Sequence, residues 1–328
     1  MLPKLLYVLV SSPDDIYLEQ AYISMFSAKH HMPDCHITLL TDKATESSFT
    51  NNRKNEIVYA DEIISIDLDT KIYSAHQRSR ILKTSARQHV KGDYIYIDCD
   101  TVIVKPFPDI SYYTAPIMAC WDTHAKFKDN PYRDMCLEHG HLLHWPIDKE
   151  DFYFNSGVII VRDDKVSYDF YKKWNENLLL GYEKGVYMDQ PSFAKTNYEM
   201  GHIVERLDDL WNCELKHGVK YMKDSYIWHY LCTNKSNNKH QQLFILNETN
   251  VLMEVKRTTI ISDDIKRVVS DPFLGLAEVT HCFAGEDVFY FRTPLHQTFR
   301  SLYETKIFSI MEKMLKVIKR INRFIRKL

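Results

Sequence analysis

The chain has 328 residues, 45% of them hydrophobic and 13% aromatic, which is enough apolar material for one large or two modest domains. Its formal net charge of −2 excludes a general electrostatic attraction to nucleic acid, so no nucleic-acid partner is predicted. Glycine is scarce, with nine residues, and the sequence contains neither a G-x-G-x-x-G run nor a Walker-type phosphate loop.

The seven cysteines are odd in number and form no C-x-x-C pair. This usage predicts reduced thiols in a cytoplasmic protein rather than a disulfide framework or a zinc site. The apolar run at 5–10 is too short for the hydrophobic region of a signal peptide, so it is predicted to be the first β-strand. No stretch reaches the roughly 18 apolar residues that a membrane-spanning helix needs.

Short apolar runs alternate with helical stretches through the first third of the chain, which is typical of βαβ units. Strands are predicted at 5–10, 36–41, 63–68 and 94–98, and helices at 12–31 and 73–90. Further along, strands are predicted at 116–121 and 157–161, helices at 164–180 and from 189, and an irregular, substrate-side loop region at 123–150. The predicted fold class is α/β, with a doubly wound, mostly parallel sheet flanked by helices.

Two carboxylates, Asp98 and Asp100, interrupt the apolar strand at 94–98. Burying two neighbouring acids is costly unless a cation compensates their charge. Ligand crevices in open α/β sheets lie at the carboxyl ends of the strands, where this pair would stand. The pair therefore predicts a divalent metal site, and the alternative is a strand that ends in a solvated polar turn.

Four motifs follow the acidic pair in a fixed order: Asn155-Ser156-Gly157 before a strand, Asp189-Gln190 at a helix start, Trp211-Asn212, and His229 followed by Lys235. With these motifs, residues 3–236 resemble the metal-dependent, nucleotide-sugar-using glycosyltransferases of the Rossmann-like GT-A fold, especially those of family 8. Those enzymes share an Asp-x-Asp strand end, an Asn-x-Gly strand, an Asp-Gln helix start and a late His-x-x-Gly-x-x-Lys. Here Cys232 stands where the family has glycine, so the sequence departs from the family's pattern close to Lys235.

The resemblance implies that Asp98, Asp100 and His229 hold a divalent cation, which in this family is usually manganese. Two carboxylates and one imidazole suit manganese chemically, and magnesium is also compatible with them. The resemblance further implies that Lys235 contacts the diphosphate of the donor. Cys99, between the two acids, is expected to point into the core.

The resemblance also implies a donor-binding set. Asn155 and Asp189 would contact the donor sugar, and Gln190 would lie near its anomeric carbon, so Asp189 and Gln190 are the candidate catalytic residues. Ser11, after the first strand, belongs to the same donor-binding set. The basic position on the helix before the acidic strand is open between Arg80 and Lys83.

Simpler interpretations of the same residues stay open at this point. His229 could be a satisfied core histidine, Asp189 only a helix N-cap, and Asn155 part of a turn that enters a strand. Asp122 is either a loop acid or an acceptor contact. The start of the motif, Asp98-Cys-Asp-Thr, also fits haloacid-dehalogenase-like phosphatases, in which the first aspartate is a phosphorylated nucleophile.

Residues 306–328 are predicted to form a basic amphipathic helix. Apolar side chains recur in alternating steps of four and three, and the remaining positions include eight Lys or Arg and a single Glu. The recurring apolar set is Ile307, Met311, Met314, Ile318, Ile321, Ile325 and Leu328. Such a helix is typical of attachment to an anionic membrane surface. The alternatives are a helix that packs on the core and a coiled coil.

The predicted domains are a GT-A catalytic domain at 1–240, a C-terminal extension of undefined structure at 241–305, and the helix at 306–328. The predicted function is transfer of a hexose from a UDP-linked nucleotide-sugar to a glycan or glycolipid, with retention of configuration suggested by the resemblance. The basic helix predicts a lipid-linked acceptor, as in lipopolysaccharide or capsule synthesis, and a location at the inner face of the membrane. The non-enzymatic alternative is a nucleotide-sugar-binding protein at a membrane surface.

Overall fold

The structure, a computed structural model, describes residues 4–230, 244–276, 293–303 and 305–325. The strands, in chain order, are β1 (Lys4–Leu9), β2 (His36–Asp42), β3 (Glu62–Ile66), β4 (Tyr94–Ile97), β5 (Thr101–Ile103), β6 (Ile117–Trp121), β7 (Phe154–Val161), β8 (Val204–Arg206), β9 (Cys213–Glu214) and β10 (Ile227–His229). The α-helices are α1 (Tyr17–His31), α2 (Lys43–Ser47), α3 (Ala75–His89), α4 (Arg133–Leu142), α5 (Lys165–Glu183), α6 (Asp189–Glu199), α7 (Thr249–Thr258), α8 (Asp263–Ser270), α9 (Pro294–Leu302) and α10 (Lys306–Ile325).

The main sheet has the strand order β3-β2-β1-β4-β7-β6-β8. Its pairs are parallel except that β7 runs antiparallel to both β4 and β6. The strand order reverses between β1 and β4, which is the switch point where doubly wound sheets bind ligands. The predicted α/β class with a mostly parallel sheet is confirmed. Because β7 is reversed, its first residues lie at the same edge as the carboxyl ends of β1, β4 and β6.

The sheet is buried on both faces, which explains why β4 reads as a continuous apolar run. Side chains alternate along a strand, so Ile95 and Ile97 join one core, together with residues of β1 and α1. Tyr94 and Tyr96 join the opposite core, together with residues of α3, α5 and α6. The acids after β4 are therefore held on a rigid central strand.

A smaller sheet, in the order β5-β10-β9, lies next to the main one. Together with α7 and α8 it forms a third core that includes Val102, Trp228, Leu252, Val255 and Ile265. Residues 249–270 of the extension thus pack against the sheet that carries His229. The short strands of this sheet are absent from the sequence-based assignment.

Several predicted boundaries are wrong. Helix α1 begins at Tyr17 rather than near residue 12, because the Asp15 carboxylate accepts hydrogen bonds from the backbone N–H of Ser12 and Tyr17 and holds the segment between them as a turn. The third strand ends at Ile66 instead of residue 68, and β7 begins at Phe154 instead of residue 157. The segment 123–150, predicted to be irregular, contains α4.

Helix α10 confirms the predicted helix over Lys306–Ile325, and residues 326–328 lie outside the described part of the chain. Its apolar side chains are exposed rather than packed on the core: Ile307, Ile310, Met314, Val317, Ile318 and Ile321. Among the described helices, none is both long enough and apolar enough to cross a membrane.

Candidate active site

The two acids and the late histidine come together at the switch point. Strand β4 delivers Asp98, whose backbone N–H donates to Gly157 O on β7 at 2.8 Å. Strand β10 delivers His229, whose neighbour Tyr230 donates its N–H to Asp100 O at 3.1 Å. One ligand atom from each of Asp98, Asp100 and His229 lies within 4.8 Å of the others. This is the site that the resemblance implies.

The chemistry of these donors fits a divalent cation. Ligand bonds to magnesium are about 2.0–2.1 Å long, so opposite ligands around such an ion stand about 4 Å apart. One ligand atom from each of the two carboxylates and the imidazole lies within 4.8 Å of the others, which is close to this span. The two aspartates are half-buried and the histidine is buried.

The close approach of β7 to these ligands requires glycine at position 157. A Cβ atom on Gly157 would lie 2.5 Å from His229 Cε1 and 2.9 Å from both Asn155 Oδ1 and Asp98 Oδ2. Ordinary carbon contacts are about 3.5–4.0 Å, so any side chain here would displace a candidate ligand. The glycine of the Asn-Ser-Gly motif is therefore part of the site's construction.

Gly157→Ala is expected to weaken cation binding and to lower the free energy of unfolding by about 1–3 kcal/mol, as overpacking typically does. The measurement is thermal unfolding with and without Mn²⁺ as the probe. Gly140→Ala is the matched control. Gly140 lies in α4, and a Cβ atom there would also collide with a side chain, that of Ile147. The control should lose stability while its Mn²⁺ affinity stays that of the wild type. Equal Mn²⁺ affinity in Gly157→Ala would contradict this construction.

The imidazole of His229 is fixed at both nitrogens. Its Nε2 lies 3.3 Å from Asp100 Oδ1, and its Nδ1 lies 3.0 Å from Asn212 Oδ1. Burial alone would lower the pKa of His229, but the negative charges of Asp100 and Asp98 outweigh burial and raise it. The same negative field would attract a metal ion.

Two cations of α3, Arg80 and Lys83, pair with the carboxylates of the site. Lys83 Nζ lies 3.2 Å from Asp98 Oδ1 and 2.8 Å from Asp189 Oδ2, and it is buried. Arg80 Nε lies 2.9 Å from Asp189 Oδ1, and its side chain stays 32% exposed. The two residues that the sequence leaves as alternatives thus both lie in the site. Tyr96 Oη also donates to Asp98 Oδ1.

Asp189 is the first residue of α6, and its side chain does not cap the helix. Instead it accepts from Ser156 Oγ at 2.8 Å and pairs with Lys83 and Arg80. Burial opposes its ionisation, but the two cations prevail and hold the pKa of Asp189 well below its usual range. Asp189 is therefore an anion under ordinary conditions, with half-buried Gln190 next to it.

Of the remaining candidate residues, the structure describes Asn155 and Ser11 but not Lys235. Asn155 is buried at the start of β7, where its Oδ1 accepts from the N–H of Gly157 at 2.8 Å. Ser11 follows β1 at the same edge, and its hydroxyl donates to Asp15 Oδ1 at 2.7 Å. Lys235 and Cys232 lie outside the described residues.

Three side chains of the site have no role in the sequence-based assignment: Tyr96, Ser156 and Asn212. Tyr96 could have been found from the alternation of β4, because it lies on the same face as Asp98 two residues later. Ser156 and Asn212 belong to the quoted motifs, but nothing in the sequence shows what they touch. Cys99 packs against the core, and burial raises the pKa of its thiol.

The doubly wound sheet with an acidic cluster at its switch point agrees with the GT-A fold that the resemblance implies. The chain belongs to the nucleotide-diphospho-sugar transferase family, which it matches over residues 89–259, that is 171 of its 328 residues. This membership makes the chain a glycosyltransferase and removes the support for the phosphatase and non-enzymatic alternatives. GT-A transferases typically use a divalent metal, and the cluster described above provides a site for one.

Two solved structures of a galactosyltransferase share this fold. The galactosyltransferase LgtC, in complex with donor and acceptor sugar analogs, matches with a TM-score of 0.50 and 13% identity, covering 80% of this chain and 99% of LgtC. An active-site mutant of LgtC matches with the same values. Mouse xyloside xylosyltransferase 1 matches with a TM-score of 0.47 and 15% identity, over 72% of this chain and 98% of that enzyme. No curated protein sequence matches the chain.

Proposed function

We propose that the protein transfers a hexose from a UDP-linked nucleotide-sugar to a glycan or glycolipid hydroxyl, with manganese as its cation and with retention of configuration. The observation that carries the proposal is the convergence of Asp98, Asp100 and His229 within 4.8 Å at the switch point of the sheet. A nucleotide-sugar is the substrate class of the family, and its diphosphate is the group that such a cation binds.

The site residues would divide the work by charge. When bound, the cation supplies Lewis-acid stabilisation of the departing nucleoside diphosphate. Arg80, with 32% of its side chain exposed, can add positive charge on the same side. The sugar passes through an oxocarbenium-like state, which the buried anion Asp189 and the neutral amide of Gln190 can accompany without repulsion. Asn155 and Ser11 complete the donor-binding set in this proposal.

A small panel of nucleotide-sugars tests this proposal. UDP-hexoses, GDP-mannose and ADP-glucose would be incubated with the protein in Mn²⁺, in Mg²⁺ or in EDTA, and release of nucleoside diphosphate would be measured. We expect release from a UDP-hexose in Mn²⁺ and none in EDTA. NMR of the freed sugar before mutarotation gives its anomeric configuration, which we expect to be retained. Equal release in EDTA would contradict the metal-dependent mechanism.

We further propose that α10 holds the enzyme on an anionic membrane surface, near a lipid-linked acceptor of lipopolysaccharide or capsule synthesis. The exposed stripe of Ile310, Met314, Ile318 and Ile321 supports this, since no described element covers those side chains. Eight Lys or Arg accompany the stripe between residues 306 and 328. Each basic residue near an anionic surface contributes about 1 kcal/mol, so half of them would localise the protein.

Deleting residues 306–328 is expected to abolish sedimentation with phosphatidylglycerol vesicles. The variant Lys313→Glu with Lys316→Glu, which keeps the helix length, should lose most of the binding, and high salt should weaken binding of the wild type. Phosphatidylcholine vesicles are the control for charge. If the deletion left both vesicle binding and activity on lipid-linked acceptors unchanged, the membrane role would be wrong.

A further inference from the structure

A chain of buried hydrogen bonds leads from Asp122, after β6, to the candidate ligand His229. One carboxylate oxygen of Asp122 accepts from Asn155 Nδ2 at 3.2 Å, and the other accepts from Asn130 Nδ2 at 2.8 Å. Asn155 Oδ1 accepts from Asn212 Nδ2 at 2.9 Å, and Asn212 Oδ1 lies 3.0 Å from His229 Nδ1. None of the five residues is more than 6% exposed. Solvent therefore does not compete for these bonds.

The donor and the acceptor of each hydrogen bond in this network are set by groups that can only donate or only accept. The backbone N–H of Gly157 can only donate, and its acceptor at 2.8 Å is Asn155 Oδ1. An ionised Asp122 can only accept, which holds the Asn155 amide nitrogen on the opposite side. With Asn155 Oδ1 already an acceptor, the adjacent group of Asn212 must be its amide nitrogen. The Asn212 oxygen is thereby turned toward His229.

This orientation determines the tautomer of the imidazole. Asn212 Oδ1 has no hydrogen, so His229 Nδ1 must carry the proton of the shared bond. The lone pair of the neutral ring is then on Nε2, the nitrogen that lies 3.3 Å from Asp100 Oδ1 within the acidic cluster. Metal-bound histidines generally donate their second N–H to such a partner, which fixes the ring and raises its basicity.

We propose that Asn212 is a positioning residue that orients His229 for the cation, through a relay from Asp122 and Asn155. This inference rests on the proposed metal-dependent function. Asn212 touches neither substrate nor cation in this account, and acts only through the imidazole. It also gives Asp122 a defined task, since both of its carboxylate oxygens hold amides of this network.

Asn212→Leu removes both bonds with little change in volume, and we expect it to weaken Mn²⁺ binding about 10- to 100-fold. Mn²⁺ affinity would be measured by electron paramagnetic resonance without any donor. Asn212→Asp keeps an acceptor for His229 and should lose less affinity than Asn212→Leu. The matched control is Asn177→Leu, which also removes two amide hydrogen bonds between α5 and α6, a buried one to Thr196 and a partly buried one to Glu199. That control should lose stability and keep wild-type Mn²⁺ affinity.

A second readout does not depend on the metal. In protein labelled with ¹⁵N-histidine, at a pH where the His229 ring is neutral, long-range ¹H–¹⁵N spectra should show Nδ1 protonated and Nε2 unprotonated in the wild type. This tautomer should change in Asn212→Leu. An unprotonated Nδ1 in the wild type, or wild-type Mn²⁺ affinity in a folded Asn212→Leu, would overturn the relay. A wild-type protein that binds no Mn²⁺ would instead contradict the proposed function. In that case the protonation of His229 Nδ1 would be the only test of the relay.

Discussion

Asp100→Asn is expected to abolish metal-dependent turnover while leaving the fold intact. The Asp100 side chain is half-buried, and the amide removes a negative charge that lies 3.3 Å from His229 Nε2 and would face the cation. Lewis-acid stabilisation is worth several kcal/mol, so the loss in kcat should be roughly 10²- to 10⁴-fold. The measurement is release of nucleoside diphosphate from a UDP-hexose at saturating Mn²⁺, with circular dichroism to verify folding.

The matched control for this change is Asp93→Asn. Asp93 directly precedes β4, at the opposite edge of the sheet, and pairs there with Arg162 on the surface. Asp93→Asn also removes one negative charge next to β4 and should keep wild-type turnover. Wild-type rates in Asp100→Asn would refute the metal-site assignment, whatever the control does.

Lys83→Met is expected to lower the free energy of unfolding by about 3 kcal/mol or more at neutral pH, since breaking a buried ion pair leaves an uncompensated charge. Lys83 is the buried cation between Asp98 and Asp189, and methionine matches its length without its charge. Denaturant unfolding of the wild type and of Lys83→Met measures the difference in the free energy of unfolding. Arg80 stays beside Asp189 in the variant, so the pKa of Asp189 should rise without returning fully to its ordinary value.

The difference in the free energy of unfolding between wild type and Lys83→Met should depend on pH with a definite sign. The folded-state pKa of Asp189 is depressed, so its pairing stabilises the protein above the unfolded pKa of about 3.9 and is lost as the pH falls further. The difference between wild type and Lys83→Met should therefore be largest near neutral pH and narrow below about pH 4.

Lys195→Met is the control for Lys83→Met, because Lys195 is also buried but pairs with the partly exposed Glu199. Loss of Lys195 should cost only about 1 kcal/mol. Because Lys195 also lowers the pKa of Glu199, this smaller difference should narrow in acid as well. A Lys83→Met variant as stable as the wild type would show that Asp98 and Asp189 do not depend on this cation.

The sequence was sufficient for the parts of the site that stand at the ends of strongly patterned elements. Asp98 and Asp100 follow a continuous apolar strand, whose carboxyl end predicted their place at the ligand-binding edge, whereas the role of His229 came from the resemblance alone. The alternation of strands and helices also predicted the doubly wound sheet. Arg80 and Lys83 could not be separated, because residues three apart share a helix face, and the structure places both against Asp189.

The remaining features depend on information that a pattern does not contain. The apolar run of β7 looks the same in either direction, yet only the reversed strand brings Asn155 to the edge that carries Asp98. Strands β5, β9 and β10 have two or three residues each, too few to show a period. The contacts of Asn212 with Asn155 and His229 join segments far apart in the chain, so only the fold could reveal them.

The most direct test of the metal-dependent donor site is isothermal titration of the wild-type protein with UDP, with and without Mn²⁺. We predict that UDP binds strongly only when Mn²⁺ is present, and that Asp100→Asn removes the enhancement. UDP binding of the same affinity with and without Mn²⁺, or no UDP binding under either condition, would contradict the assignment of Asp98, Asp100 and His229 as the site of a nucleotide-sugar transferase.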